Sequence, residues 1–257
     1  MAQAWTDKEL IAALAKGETL SDPARLTPGY RTELVRLMAL LADSELAGAA
    51  GFADLINTAP SVIDRIQAAR MVAEKFDHAR LVLALLADFG VHPDLYLAEH
   101  AWSARIDRGA DLGTRRIGGD KRLNVFHYPL QGWLDALVLE FLMGHASVIQ
   151  LGDQAEGCYA PFARALKEII AGEARHAGQG EAALRRALAG DVARAGVQAA
   201  VEYWHNRVAD SFGRGESERF LLHQAYRLRH RPGSALLQEW RALIATKLAA
   251  LALRAPD

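Results

Sequence analysis

Two short stretches carry residue types that bind metals or transfer protons, at a spacing of three. Glu173 and His176 form one pair, and Lys75 and His78 form the other. Residues three apart lie on one face of an α-helix, so each pair can present both side chains to one site. A carboxylate with an imidazole suits iron, manganese or zinc. A lysine in place of the carboxylate raises the question of whether its positive charge replaces a metal.

These residues fall on helix faces that should be buried. At roughly 100° per residue, four segments each place a charged side chain among apolar ones. The four residues are Glu45, Lys75, Glu140 and Glu173, and His176 follows one turn after the last. An isolated buried charge is very costly, so these groups must meet one another or a metal. The pattern therefore predicts a polar centre inside a helical protein.

The elements that position this centre are predicted to be helices throughout. Alanine, leucine, glutamate and arginine are abundant, and no alternating strand pattern or fixed repeat occurs. Turn residues divide the chain into predicted helices at 6–16, 30–50, 61–89, 92–108, 130–152, 158–187, 190–213, 216–230 and 234–252. We expect an all-α four-helix bundle with additional C-terminal helices, forming one domain over residues 1–257.

Composition excludes several classes of function. The formal net charge of −1 offers no attraction to nucleic acid or to an anionic membrane. The single cysteine, Cys158, excludes an internal disulfide and fits a reducing compartment. The N-terminus does not resemble a secretory signal, and no uncharged apolar run reaches about 18 residues. The expected location is the cytoplasm.

Several segments resemble one family in a consistent order. They are YRTELVRLMALLADSELAGAAGF (30–52), APSVIDRIQAARMVAEKFDHARLVLALLADFG (59–90), FHYPLQGWLDAL (126–137) and CYAPFARALKEIIAGEARHAGQGEAAL (158–184). Over roughly residues 28–190 the chain resembles the catalytic subunit of the multicomponent ring 1,2-phenylacetyl-CoA epoxidase and its ferritin-like relatives. The resemblance implies a ferritin-like fold and a di-iron centre that activates oxygen for an aromatic acyl-CoA, with electrons from a separate reductase.

The same resemblance implies a ligand set from which this chain departs. The matching positions are Glu45, 75, His78, 144, Glu173 and His176. Lys75 and Gly144 stand where the family has carboxylates, so two of the six ligands are replaced. A complete di-iron centre is therefore not expected.

Two neighbouring glutamates are candidates to replace the lost ligands. Glu74 falls on the face of Arg70 and Asp77, which predicts a solvated residue paired with Arg70. Glu140 lies one turn before Gly144 on the inward face and could lean into space left by the glycine. The carboxylates of Glu45, Glu173 and Glu140 together with the ammonium of Lys75 leave two negative charges, which one divalent metal ion would neutralise. Without Glu140 one negative charge remains, and a protonated histidine could neutralise it.

The sequence leaves two main functions open, and a third, weaker one is simple metal or small-ligand binding in another pathway. The favoured hypothesis is a non-catalytic or altered-site subunit in which Lys75 bridges Glu45 or Glu173, working as a homodimer or with a ferritin-like homologue. The alternative is an active oxygenase for an aromatic acyl-CoA with a single or rearranged metal site at Glu45, His78, Glu173 and His176. The expected cofactor is none or one divalent metal, iron or manganese. Basic residues at 115–116 and 121–122 could meet the phosphates of CoA or form a solvated loop.

Overall fold

The chain is described by a computed structural model over residues 5–189, 191–213 and 215–256, and within these ranges it forms nine α-helices and no β-strand. The helices are α1 (Asp7–Ala15), α2 (Pro28–Ala53), α3 (Val62–Ala87), α4 (Pro93–Ala98), α5 (Trp133–Ala155), α6 (Ala160–Ala187), α7 (Asp191–Ala209), α8 (Glu218–Ala225) and α9 (Gly233–Ala250). The predicted all-α class is confirmed.

The four longest helices form the bundle. α2 packs along α3, α5 packs along α6, and contacts between α3 and α6 join the two pairs. Local sequence sets where these helices begin. Thr27 accepts a hydrogen bond from the backbone N–H of Tyr30 at the start of α2, and Ser61 does the same for Asp64 at the start of α3. Each cap satisfies a backbone donor that the first helical turn leaves free.

Two apolar layers fill the bundle, one towards each end. One contains Met38, Phe162 and Leu166, and the other contains Phe141 and Leu184. Along α2, α3 and α6 the residues of the two layers are separated by the positions of the charged side chains. The polar centre is thus enclosed by hydrocarbon above and below, which keeps water away from it.

The C-terminal helices cover the outer side of α5. α7 and α9 both pack against α5, and they bury Trp204 and Trp240 completely. α5 is the one described helix long and apolar enough to cross a membrane, but 61% of that apolar window is buried inside the protein. Its apolar character is that of a core helix.

The predicted helix at 92–108 is wrong beyond Ala98. α4 ends there, and the chain follows an irregular path to the start of α5, broken by a short 3-10 turn at Asn124–His127. The side chains of two arginines from this part of the chain bind carbonyl oxygens. Arg122 donates to the carbonyl oxygens of Trp102 and Ala104, and Arg105 donates to that of Ala47 on α2. Propensity alone does not reveal such tertiary bonds, which is why the predicted helix is too long.

Candidate functional site

Five ionisable side chains from three bundle helices meet in the centre. α2 supplies Glu45, α3 supplies Lys75 and His78, and α6 supplies Glu173 and His176. None of the five is more than 6% exposed. All five side chains therefore lie in one buried cluster, called here the Lys75 centre. This agrees with the inward faces inferred from helical periodicity.

Lys75 occupies the middle of this centre. Its Nζ donates to Glu173 Oε1 at 2.7 Å and lies 3.4 Å from Glu45 Oε2. A charge-assisted bond of 2.7 Å between buried groups is strong, because little water competes for either partner. The lysine thus joins α3 to both α2 and α6.

Both histidines turn Nδ1 towards Glu173, and that of His78 also faces Glu45. His78 Nδ1 lies 3.5 Å from Glu45 Oε2 and 3.6 Å from Glu173 Oε1. His176 Nδ1 lies 3.4 Å from Glu173 Oε1. Three nitrogen atoms therefore surround one oxygen of Glu173.

Glu74 differs from its prediction as a solvated partner of Arg70. Its Oε2 lies 2.8 Å from His176 Nε2 and accepts from Arg175 at 3.0 Å, although its side chain is 40% exposed. A long side chain at the edge of α3 can reach across to α6, which the face angle on one helix does not reveal. Glu74 therefore orients the His176 ring from outside, a common arrangement behind metal-binding histidines.

Glu140 points into small cavities of the centre without a hydrogen-bonding partner among the described residues. It borders a cavity of about 10 Å³ that Lys75, Glu173 and His176 also line. Its oxygens do not belong to the tight group formed by Glu45, His78 and Glu173, whose ligand atoms all lie within 4.8 Å of one another. Glu140 is near the centre, but it is not packed into it.

The expected open space at Gly144 is absent. A Cβ atom at this position would lie 3.0 Å from Ala177 Cβ and 3.1 Å from its Cα. α5 and α6 approach so closely here that the space beside the glycine is filled by the neighbouring helix. Beyond the cavity of about 10 Å³ that Glu140 and Gly144 both line, Glu140 has no space to lean into, and an aspartate at 144 would need the helices to separate.

Two further glycines shape the centre and were missed from the sequence. A Cβ at Gly172 would lie 2.5 Å from His78 Nε2, and a Cβ at Gly48 would lie 3.7 Å from Lys75 Cδ and 3.3 Å from Phe126. Glycine inside a helix costs up to about 1 kcal/mol relative to alanine, so glycines next to inward charges are a usable signal. They make room for the lysine stem and the imidazole ring.

The electrostatics of the centre follow from burial and close charges. Burial alone would lower the pKa of Lys75, but the carboxylates of Glu173 and Glu45 outweigh it and raise that pKa. Burial likewise opposes protonation of His78, yet the same carboxylates raise its pKa to about 9. Burial would raise the pKa of Glu173, but Lys75 and the two histidines hold it well below its usual value. Burial and Glu173 raise the pKa of Glu140 to about 8 against the pull of Lys75.

The residues present do not fit a pair of metal ions. Lys75 bonds to the carboxylate oxygens that would face a metal, and Ala177 closes the position of the lost ligand at 144. With Lys75 and His78 protonated, two positive charges balance the carboxylates of Glu45 and Glu173. Glu45, His78 and Glu173 are close enough to hold one ion, but only if the ammonium of Lys75 moves away from Glu173.

Part of the basic loop has a structural use. Arg122 is buried and pairs with Asp120 at 2.7 Å, and Arg116 donates to the carbonyl oxygen of Arg122 at 2.7 Å. These two guanidinium groups hold the loop together, so the basic pairs of residues do not form a single free phosphate site.

Comparisons with known proteins point to one family. A family described as "Phenylacetic acid catabolic protein" matches residues 18–257. The chain is 27% identical over 203 residues to one of the subunits of 1,2-phenylacetyl-CoA epoxidase from Escherichia coli (strain K12), covering 77% of this chain and 60% of that protein. It is 28% identical over 188 residues to "Benzoyl-CoA oxygenase component B" of Aromatoleum evansii, covering 71% of this chain and 36% of that protein. In both cases the alignment spans less than two thirds of the relative.

Proposed function

Because the chain belongs to the phenylacetic acid catabolic protein family, we propose that it is a ferritin-like subunit of an aromatic acyl-CoA oxygenase system in which Lys75 replaces the metal. It acts by associating with a second copy or with a ferritin-like homologue, in the cytoplasm, and does not itself activate oxygen. The observation that carries this proposal is the bond from Lys75 Nζ to Glu173 Oε1 at 2.7 Å, with Glu45 on its other side.

The charges within the Lys75 centre support the proposal that the centre holds no metal. A buried ammonium beside two carboxylates supplies positive charge that a metal would otherwise supply, and a protonated His78 completes the balance. An added divalent ion would bring two further positive charges against the same carboxylates. The centre therefore favours the lysine over the ion.

An uncovered apolar stripe on α3 supports association. Its members are exposed residues spaced alternately by four and three: Val62, Ile66, Ala69, Ala73 and Phe76. Val62 is 72% exposed and Phe76 is 45% exposed, and a contiguous run of exposed apolar residues marks a surface that binds another protein. A repeat of 3.5 residues suits packing against another helix. One relative is named as an oxygenase component and the other as an epoxidase subunit, which is consistent with a chain that works in an assembly.

One observation favours a second candidate function. The ligand atoms of Glu45, His78 and Glu173 all lie within 4.8 Å of one another, a suitable set for a single iron or manganese ion. In that case the chain is an oxygenase with a one-metal site, and Glu74 would hold His176 in a ligand orientation.

The metal content of the purified protein distinguishes the metal-free subunit from the one-metal oxygenase. Protein from cells grown with added iron or manganese is expected to carry less than about 0.1 metal per chain, because the lysine blocks the ligand oxygens. Lys75→Glu should raise the metal content, whereas Lys167→Glu, the same charge change at an exposed position of α6, should not. Close to one metal per wild-type chain, lost in Glu173→Gln, would reject the metal-free subunit in favour of the one-metal enzyme.

A further inference from the structure

The exposed apolar surface of α3 has large side chains near the start of the helix and small ones near its end. Val62 and Ile66 are exposed in the first turns, whereas Ala84 and Ala87 are the exposed apolar residues of the last turns. Two helices that pack antiparallel bring the start of one beside the end of the other. Large side chains of one copy then meet small ones of the other, which suits close packing along the whole contact.

One register of the two helices fits the middle of the α3 stripe better than its neighbour. When two antiparallel copies of α3 overlap from end to end, Ala73 lies opposite Phe76, and Ala69 lies opposite the long stem of Arg80. Sliding one helix by seven residues brings Ala69 opposite Ala73 and Ile66 opposite Phe76. Small residues then face small ones and large residues face large ones, which leaves gaps. The end-to-end register therefore packs better.

Charged residues beside the stripe distinguish an antiparallel pair from a parallel one. Arg70 and Asp77 are exposed on one side of the stripe, seven residues apart, and Arg65 is exposed on the other side. Antiparallel helices bring matching sides together, so in the end-to-end register each Arg70 approaches Asp77 of the other copy. Parallel helices bring opposite sides together, so Arg65 would approach Arg70 of the other copy. The charges therefore favour the antiparallel pair.

Both members of this intermolecular ion pair are available on the single chain. Arg70 makes no ion pair or hydrogen bond with the described residues. Asp77 accepts from Arg80 through Oδ1 at 3.1 Å, and its Oδ2 has no donor among those residues. The side chains of Arg80 and Asp77 are 69% and 65% exposed, and an ion pair as exposed as this contributes little to stability. A guanidinium from a second copy can therefore bind Asp77 without breaking a strong contact.

We propose that two copies of this chain pack their α3 helices antiparallel and in full overlap, around a two-fold axis level with positions 74 and 75. Ala73 of each copy lies against Phe76 of the other, and two symmetric ion pairs join Arg70 to Asp77. This arrangement rests on the association put forward as part of the proposed function, and it commits to a second copy of the chain as the partner on α3.

Reversal of charge tests the ion pairs, with the dissociation constant of the dimer measured by analytical ultracentrifugation. Arg70→Glu and Asp77→Arg should each weaken the dimer about 10-fold or more, because two attractive pairs become repulsive. An equimolar mixture of the two variants should dimerise about as tightly as the wild type, since one chain then carries two acids and the other two bases. Lys167→Glu, at an exposed position of α6, should change the constant by less than about 2-fold.

Cysteine cross-linking tests the direction and the register of the helices. A mixture of Ala69→Cys with Arg80→Cys should form a disulfide between two chains under mild oxidation, identified by mass spectrometry of the linked peptides. Ala69→Cys alone should not link to itself, because its two copies lie about 16 Å apart along the helix axes, too far for a disulfide. The wild type is the control, since its cysteine, Cys158, is buried.

Three results would overturn the inference. They are a monomeric wild type, a dimer that Arg70→Glu leaves unchanged or strengthens, and the absence of a link between Ala69→Cys and Arg80→Cys in protein that dimerises. A link of Ala69→Cys to itself in that last case would identify a parallel pair. Metal content is measured on the same samples and tests the Lys75 centre separately, so failure of this arrangement is distinct from failure of the metal-free subunit.

Discussion

At the scale of single residues, Lys75 determines what the centre can do. Helical periodicity correctly indicates that Lys75 and Glu173 face inward, because a bundle helix has one buried face. It is wrong about Glu74, whose partners His176 and Arg175 lie on another helix. Periodicity orders residues around their own helix, whereas partners across a gap depend on how the helices pack.

Lys75→Met is expected to destabilise the protein strongly. It leaves two buried carboxylates without their ammonium partner, and breaking a buried ion pair in this way costs about 3–5 kcal/mol. Urea unfolding in the presence of a chelator measures the loss. Lys167→Met, at an exposed position of α6, should change the free energy of unfolding by less than about 0.5 kcal/mol.

A second substitution tests whether unpaired carboxylates cause the loss of stability in Lys75→Met. Glu173→Gln in the Lys75→Met background removes one unpaired carboxylate and should restore part of the lost stability. If Lys75→Met alone is as stable as wild type, the bond between Lys75 and Glu173 does not hold the helices together, and the account of the centre fails.

At the scale of the helices, most of the bundle can be predicted from the sequence, but the approach of α5 to α6 cannot. Long amphipathic segments and turn residues indicate where α2, α3, α5 and α6 lie, because both signals are local. The contact of Gly144 with Ala177 depends on the distance between two helices, which no single segment encodes. The same limit explains the overlong predicted helix at 92–108, where Arg105 and Arg122 bind distant carbonyl groups.

Gly144→Ala should therefore destabilise the protein although alanine is the better helix former. The new methyl group lies 3.0 Å from Ala177 Cβ and 3.1 Å from its Cα, and overpacking of this kind costs roughly 1–3 kcal/mol. Gly152→Ala is the matched control on the same helix, since a Cβ there meets nothing within 4 Å. Gly152→Ala should raise the free energy of unfolding by up to about 1 kcal/mol. Thermal and urea unfolding of both variants give the comparison, and equal stabilities would show that the helices are not closely packed at Gly144.

At the scale of the whole molecule, the fold leaves apolar surface that its own helices do not cover. The α3 stripe runs from Val62 to Phe76 on the outside of the bundle, opposite the face that carries Lys75 and His78. One helix thus supplies both the buried cation and the exposed apolar stripe. If a second helix packs on the stripe, α3 is buried on both sides, and the Lys75 centre lies one helix diameter from the partner.

The last prediction concerns this contact. Wild-type protein should run as a dimer in light scattering coupled to size-exclusion chromatography, because self-association buries the α3 stripe. Val62→Glu combined with Ile66→Glu places like charges on the stripe and should yield monomers without loss of helical content. Leu221→Glu combined with Leu222→Glu changes the same number of exposed apolar residues on α8, and the dimer should persist. A monomeric wild type would reject the homodimer, and dissociation by both double variants would show that charge alone, not the stripe, controls assembly.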